Sequence, residues 1–398
     1  MSRLATQAAH APDQAESTHA DIIYPGATPF VLVHLICFTA IFWTGVTMEA
    51  VVIGIVLYWV RMIGVTGGYH RYFSHRSYKT SRAGQLFIAA LAQSSAQRGA
   101  LWWAAMHRHH HQYSDLANDT HSPRHHGFLY AHFGWIFAKK NAEPDYESVA
   151  DLMEYPELVW MNKHQYVVPA ILGFVVWLVA GWSGLVAGFL WSTMICWHCT
   201  FFINSLAHVH GTQRYVTGDD SRNNWWLAVL TCGEGWHNNH HAYQSSTRQG
   251  FRWYQVDFTY YVLKAVSWTG LIWDLRAPPA DVVNNERKLG RLVVEKVARQ
   301  VADTYSPDGV AAQVRSAWEN SQMWPDVQAW ARSAGAQAAA KLATVPLPEL
   351  PTAQDIRQRA AEKFRVPEVS LDEVSERARI LLIQAVSSRI LGEEHAAA

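Results

Sequence analysis

The chain has 398 residues, and its 33 basic and 33 acidic side chains leave a formal net charge of +0. That balance gives no bulk electrostatic attraction for nucleic acid, and four cysteines without paired spacing argue against a disulfide framework. Histidine, at 21, and tryptophan, at 19, are the unusual counts.

Residues 1–27 are polar and Ala-rich and read as a flexible N-terminal tail. No charged start leads at once into an apolar run, so no cleavable signal peptide is expected there. Two apolar stretches follow, at about 28–46 and 49–65. Each approaches the roughly 20 residues that cross a bilayer core, and the short break between them makes a tight helical hairpin. Arg61, near the end of the second, can snorkel to the interface. A second hairpin is predicted at about 166–182 and 184–206, with Trp and Tyr crowding the ends as in an aromatic belt. The mean hydropathy of −0.08 is modest because a polar C-terminal third dilutes these runs.

Lysine and arginine set the orientation. The turns at 47–49 and 182–184 carry neither, whereas 66–165 and the chain after 206 carry many. Both turns then face away from the cytoplasm, and both termini and the polar segments face it. Between the hairpins, an apolar piece at about 84–106 is interrupted by Gln93, Ser94, Ser95, Gln97 and Arg98. It reads as an interfacial or buried helix. A similar piece lies at about 254–276. Beyond Pro278-Pro279, residues 281–398 have helical periodicity and no long apolar run, and read as a soluble helical extension of unassigned role.

The chemistry sits in the polar segments. His107, His110 and His111 stand at i, i+3 and i+4, which puts three imidazoles on one face of a helix. His237, His240 and His241 repeat the pattern, and His70 and His75 form a third cluster upstream. Neutral imidazole is the commonest protein ligand of transition metals. Eight histidines exceed the need of one ion and suffice for two, and His208 could be a ninth, with Asn204 one turn before it. Thiolates and a dense carboxylate set are missing from the clusters, which removes iron–sulfur and glutamate-based di-iron sites. Imidazoles beside membrane helices suit a redox metal acting on a lipid chain. Iron is the preferred reading, and by donor type alone copper and zinc remain open. Asp115, Asp119 and Glu234 are candidates to orient the ligand imidazoles. His109 points off the ligand face. Arg71 and Arg108 either brace the clusters or face lipid phosphate.

With these motifs in place, the chain resembles the membrane fatty-acid desaturases, in particular the Δ9, stearoyl-CoA desaturase-like branch. The resemblance rests on His70-Arg71-Tyr72-Phe73-Ser74-His75, on His107-Arg108-His109-His110-His111, on Gly233-Glu234-Gly235-Trp236-His237-Asn238-Asn239-His240-His241, and on Asn204-Ser205-Leu206-Ala207-His208. It spans about 28–278, and the membrane desaturase domain is placed at 28–280. It implies an all-α integral membrane protein of the cytoplasmic or inner membrane: four transmembrane helices in two hairpins, a cytoplasmic helical cap with a histidine-rich di-iron site, and the C-terminal extension 281–398. It further implies a cis double bond placed at C9–C10 of a long saturated acyl chain, a stearoyl or palmitoyl thioester, with O2 and two electrons. One iron would take His70, His75, His107, His111 and His240. The other would take His110, His208, His237 and His241, with Asn204 reaching it through a water. By offset from the family pattern, Gln97, Trp103, Thr200 and Phe201 would line the acyl channel.

An Arg-Asp pair that helps animal enzymes hold CoA is replaced here by Ala105 and Met106. The carrier is therefore CoA, acyl carrier protein or an intact glycerolipid. The sequence shows no HPGG-type haem loop, so a separate ferredoxin, rubredoxin or cytochrome b5-like donor, with its reductase, is implied. A related histidine-box hydroxylase, an acyl-lipid desaturase and, remotely, a non-catalytic membrane metal-binding protein are the alternatives.

Overall fold

A computed structural model describes residues 27–320 and 350–391; the tail predicted at 1–27 lies, but for Ala27, outside the described residues. The described chain is mostly helical, with one two-stranded antiparallel ribbon pairing Lys79–Thr80 with Ile272–Trp273. Contacts divide it into two compact units, one ending at Asn285 and the other starting at Glu286.

In the first unit, α1 (Thr28–Thr44) and α2 (Met48–Ile63) are joined by a three-residue turn. Gly45 stops α1 in the left-handed region, at φ 64°. Thr47 starts α2, its Oγ1 accepting from Ala50 N at 3.2 Å. α2 does not stop near residue 65 as its hydropathy suggests. It continues as a π-helix over Gly64–Ser74 and carries His70 inward with it. α3 (Arg82–Gln93) and α4 (Ala100–Tyr113) follow. The sequence reading took 84–106 as one helix; the structure breaks it at Ser94–Gly99, where Ala96 and Arg98 adopt positive φ. The polar interruptions that stood out in the sequence are the break itself.

α5 (Val167–Ser183) runs into a second π segment (Gly184–Leu190) and then α6 (Trp191–Asn204). This is not a single rod. Ala180 and Gly181 leave helical geometry, Gly181 at φ 57°. A Cβ on Gly173 would lie 3.1 Å from the Phe189 ring, so the chain has folded back on itself. The two hairpin tips meet: Ser183 Oγ accepts from Thr47 N at 3.1 Å and donates to Gly45 O at 3.2 Å. Among the described residues two stretches are long and apolar enough to cross a membrane, Met48–Ser74 (mean hydropathy 1.9) and Val167–His208 (2.1); Thr28–Thr44 is apolar but shorter.

Arg61 overturns one expectation. It does not snorkel to an interface but is fully buried, at 0% exposure. α6 offers it hydroxyls: Thr193 Oγ1 at 2.6 Å and Ser192 Oγ, with the carbonyls of Leu57 and Phe189 completing the set. A buried cation is tolerated because four of its five N–H donors are used.

The core of this unit gathers Met62, Tyr69 and Phe73 with Leu101, Ala104, Leu152 and Leu158, under the histidines. The second unit contains Arg291–Asp303, Pro307–Asn320, Ala353–Phe364 and Glu368–Leu391, around a core of Val310, Val314, Leu382 and Val386.

Candidate metal centre

The π-helix delivers His70 and its end delivers His75. α4 delivers His107, His110 and His111. His208 sits just past α6, and α7 (His237–Ala242) supplies His237, His240 and His241. The nine gather into two groups. One holds His70, His75, His107, His111 and His240; the other holds His110, His208, His237 and His241. Within each group the ligand atoms lie within 4.8 Å of one another.

Helix geometry explains the sorting. In α4 the i, i+4 pair, His107 and His111, enters the first group, while the i+3 residue, His110, turns to the second. In α7 the assignment is reversed: His237 and His241 enter the second and His240 the first. Each helix thus bridges both groups.

In the first group Nε2 follows Nε2: His70 to His240 at 3.0 Å, His240 to His111 at 2.8 Å, His111 to His107 at 2.9 Å and His107 to His75 at 2.8 Å. The three middle nitrogens each face two others. A ring nitrogen offers one proton or one lone pair, so a run of ordinary hydrogen bonds does not satisfy them. Lone pairs aimed at a shared cation would. In the second group His208 and His237 present Nε2 to one another at 3.0 Å, and His241 Nε2 is buried with no protein partner. Both donor sets fit a transition-metal ion.

Carboxylates fix the outer ring nitrogens. Glu234 Oε2 lies 2.5 Å from His70 Nδ1, Asp115 Oδ2 lies 2.7 Å from His208 Nδ1, and both oxygens of Asp119 lie 3.1 Å from His110 Nδ1. Asp219, which the sequence reading missed, takes His241 Nδ1 at 2.8 Å. Each Nδ1–H is held outward, leaving Nε2 for the interior. Burial works against ionising Asp115, Asp119, Asp219 and Glu234. Attraction to His208, His110, His241 and His70 outweighs it and holds all four below the usual carboxylate range. Burial first, then repulsion among neighbouring histidines, holds His75, His107, His111, His237 and His240 well below the usual imidazole range. They are neutral at pH 7, as metal ligands must be.

Arg71 braces the first group from behind. It bonds Glu234 Oε1 at 2.9 Å and Asp257 Oδ1 at 2.9 Å, so Glu234 is shared between it and His70. Arg108 holds the carbonyls of Phe73 and Ser74, at 2.9 and 3.1 Å, just before His75. Neither is left for lipid phosphate. His109 bonds Asn118 O at 2.9 Å and joins neither group. Gln249, also missed, places its amide nitrogen 3.2 Å from His70 Nδ1. Asn238 Oδ1 accepts from the backbone of Arg214 and Tyr215, and Asn239 bonds Asn223 and Gln249. These asparagines pin α7 in place. Gly235 is required before α7, because a Cβ there would meet Ala228 N at 2.1 Å.

An apolar cavity of about 310 Å³ runs from His107 and Asn204 into the helical bundle, a size within the range of small-molecule sites. Gln97, Trp103, Thr200 and Phe201 all line it. Gln97 Nε2 donates to Thr200 Oγ1 at 3.1 Å. His121 also lines it and is pushed down to about 3, by burial first and then by His110.

Comparison with known proteins identifies the family. The fatty acid desaturase family profile matches residues 24–269. An sn-1 stearoyl-lipid 9-desaturase of Anabaena variabilis is 33% identical over 66% of this chain and 97% of its own length. An acyl-CoA 5-desaturase of Anemone leveillei is 34% identical, over 62% of this chain and 77% of that protein. A hex-5-enoyl-[acyl-carrier protein] acetylenase of Moorena producens is 33% identical, over 62% and 83%. The chain belongs to the fatty acid desaturase family. It is a metal-binding oxidoreductase of lipid metabolism.

Proposed function

We propose that this protein uses O2 and two electrons to place a cis-Δ9 double bond in a long-chain saturated acyl group at a di-iron centre. The observation that carries the reading is the pairing of two converged imidazole groups with the end of an apolar cavity. His70, His75, His107, His111 and His240 would hold one iron. His110, His208, His237 and His241 would hold the other, with Asn204 acting through a water. Iron held there would supply the O2 activation and hydrogen removal that no side chain can perform on an unactivated methylene. The chain's own residues do the rest. Asp115, Asp119, Asp219 and Glu234 keep the imidazoles oriented, and the cavity fixes which carbons face the centre.

The domain at 28–280 would cross the cytoplasmic membrane four times. The folded-back α5–α6 run supports two of those passes, and the cationic segments put the centre and both termini on the cytoplasmic side. The 281–398 extension is a separate appendage of the enzyme. Electrons come from a separate ferredoxin, rubredoxin or cytochrome b5-like protein and its reductase.

An intact acyl-lipid is favoured over acyl-CoA as the carrier. Ala105 and Met106, where CoA-using animal enzymes have a charged pair, are both buried, and the stearoyl-lipid enzyme is matched over 97% of its length. The test is expression in a host unable to make unsaturated fatty acids, followed by gas chromatography–mass spectrometry with double-bond location. A cis-9 monoene in the lipid fraction is expected. A hydroxy fatty acid would move the assignment to the hydroxylase reading.

A further inference from the structure

The two histidine groups differ in how they meet the surface. All four imidazoles of the second group are buried, whereas His75, His107 and His111 of the first are only partly so. His107 faces the apolar cavity. His75 and His111 form part of the wall of a second, open pocket, with Arg108, Gln112, Gln244 and Ser245. No residue lines both the cavity and this pocket. His75 and His111 each bring Nε2 to His107 Nε2, at 2.8 and 2.9 Å. One imidazole ring therefore separates the polar pocket from the interior of the first group.

Charge sorts the groups in the same direction. Asp115, Asp119 and Asp219 place three negative charges behind the second group. Behind the first, Glu234 and Asp257 both bond Arg71, which leaves one negative charge. Carboxylate charge beside a buried metal ion favours its more oxidised state. An ion in the first group is then the easier of the two to reduce, and it is also the one nearer the surface. The pocket itself is cationic. Arg108 is the one formally charged side chain among its described wall residues. Arg108 and its neighbour Arg76 share a single carboxylate, Asp151, at 2.9 and 2.6 Å.

We infer that the pocket over His75 and His111 is where a reduced electron carrier docks, and that both electrons of the reaction enter through the first group. The occupant it fits is a small protein with an acidic face around an iron–sulfur cluster or haem. The inference rests on the desaturase reading, which needs two electrons from outside the chain. At each docking the carrier is oxidised by one electron and the ion held by the first group is reduced by one. Two such transfers, with O2, two protons and the two acyl hydrogens, end as two waters. Carrier and acyl chain do not compete, because they use separate openings.

The experiment uses the full-length, iron-loaded protein in nanodiscs and three carriers: an acidic plant-type ferredoxin, a rubredoxin and a soluble cytochrome b5 domain, each with its reductase. For the carrier that reduces the wild type, surface plasmon resonance gives the dissociation constant, and anaerobic stopped-flow absorbance gives the rate of carrier reoxidation. Gln112→Glu and Gln244→Glu, which add negative charge to the pocket, should each weaken binding about fivefold at low salt, the scale of one like-charge contact in water. Reoxidation should slow in parallel. Gln112→Lys should tighten binding by a similar factor, and all three differences should shrink at about 1 M salt. Gln313→Glu, at an exposed position of the second unit, should change nothing. Unchanged binding in the three pocket variants, a loss confined to Gln313→Glu, or reduction of the wild type by none of the carriers would overturn the docking site. The desaturase reading fails separately, on a reduced wild type that consumes O2 and leaves a stearoyl lipid unaltered.

Discussion

The two histidine groups are built on opposite plans. The first has five imidazoles and a single carboxylate partner, Glu234, which it shares with Arg71. The second has four imidazoles and three carboxylates, Asp115, Asp119 and Asp219, one behind each of His208, His110 and His241. One group gains its hold by number of donors, the other by anionic partners that make fewer donors more basic. The difference teaches that ligand count alone does not measure a site. The apolar cavity meets the first group at His107, with Asn204 also in its wall.

Removing a nitrogen from the smaller group should have the largest effect. His110→Ala should abolish monoene formation and lower bound iron from two per chain towards one. Plasma emission spectrometry on purified protein checks the metal and lipid analysis checks the product. Two irons retained with full activity would break the assignment of His110.

The carboxylates test the contrast more directly. Asp219→Asn and Glu234→Gln should each weaken metal binding by about 10–100-fold. Their effects on the metal-free fold should differ. Asp219 partners His241, Thr217 and Ser221, whereas Glu234 also neutralises a buried arginine. Glu234→Gln should therefore cost about 1–3 kcal/mol of stability beyond its effect on metal, seen as a lower melting temperature of metal-free protein. Equal melting temperatures for the two variants would show that Asp257 alone suffices for Arg71.

Acid should act on both groups at once. His75, His107, His111, His237 and His240 sit below the usual imidazole range when folded, but titrate near 6.5 when unfolded. Below that pH the unfolded chain binds more protons, so stability is full above about 6.5 and falls as pH drops. Melting temperatures of metal-free protein at pH 7.5 and 5.5 check this; an unchanged value would argue against neutral buried imidazoles.

Much of this arrangement was legible from spacing. HxxHH on a helix must present its histidines along one face, and the structure gathers all nine singled-out histidines into the two groups. The apolar runs also announced the hairpin helices, although their ends were misplaced where the backbone takes π geometry, as at Gly64–Ser74. Hydropathy cannot register that change, because it alters hydrogen bonding and not composition. Arg61 looked like an interface residue because its hydroxyl partners, Ser192 and Thr193, lie more than 130 residues away. Asp219 was invisible for the same reason. It sits in an irregular loop, 22 residues before His241, with no periodicity to mark it. Asp115 and Asp119 were easier to find because they follow their box within a few residues.

The smallest effect belongs to the position where the two boxes differ most. Both have two residues between the first two histidines that join the groups. In the second box these are Asn238 and Asn239, both at 0% exposure and fully bonded. In the first they are Arg108 and His109, and His109 reaches the carbonyl of Asn118 and the Tyr113 ring near the surface. His109→Ala should keep two irons, and its stability should change by no more than about 0.5 kcal/mol. Asn239→Ala, three side-chain hydrogen bonds poorer, should lose far more. A comparison of the two variants by metal content and melting temperature separates histidines that belong to the centre from one that merely stands in its motif. If His109→Ala loses an iron, the face of α4 that carries ligands is wider than its helical spacing allows.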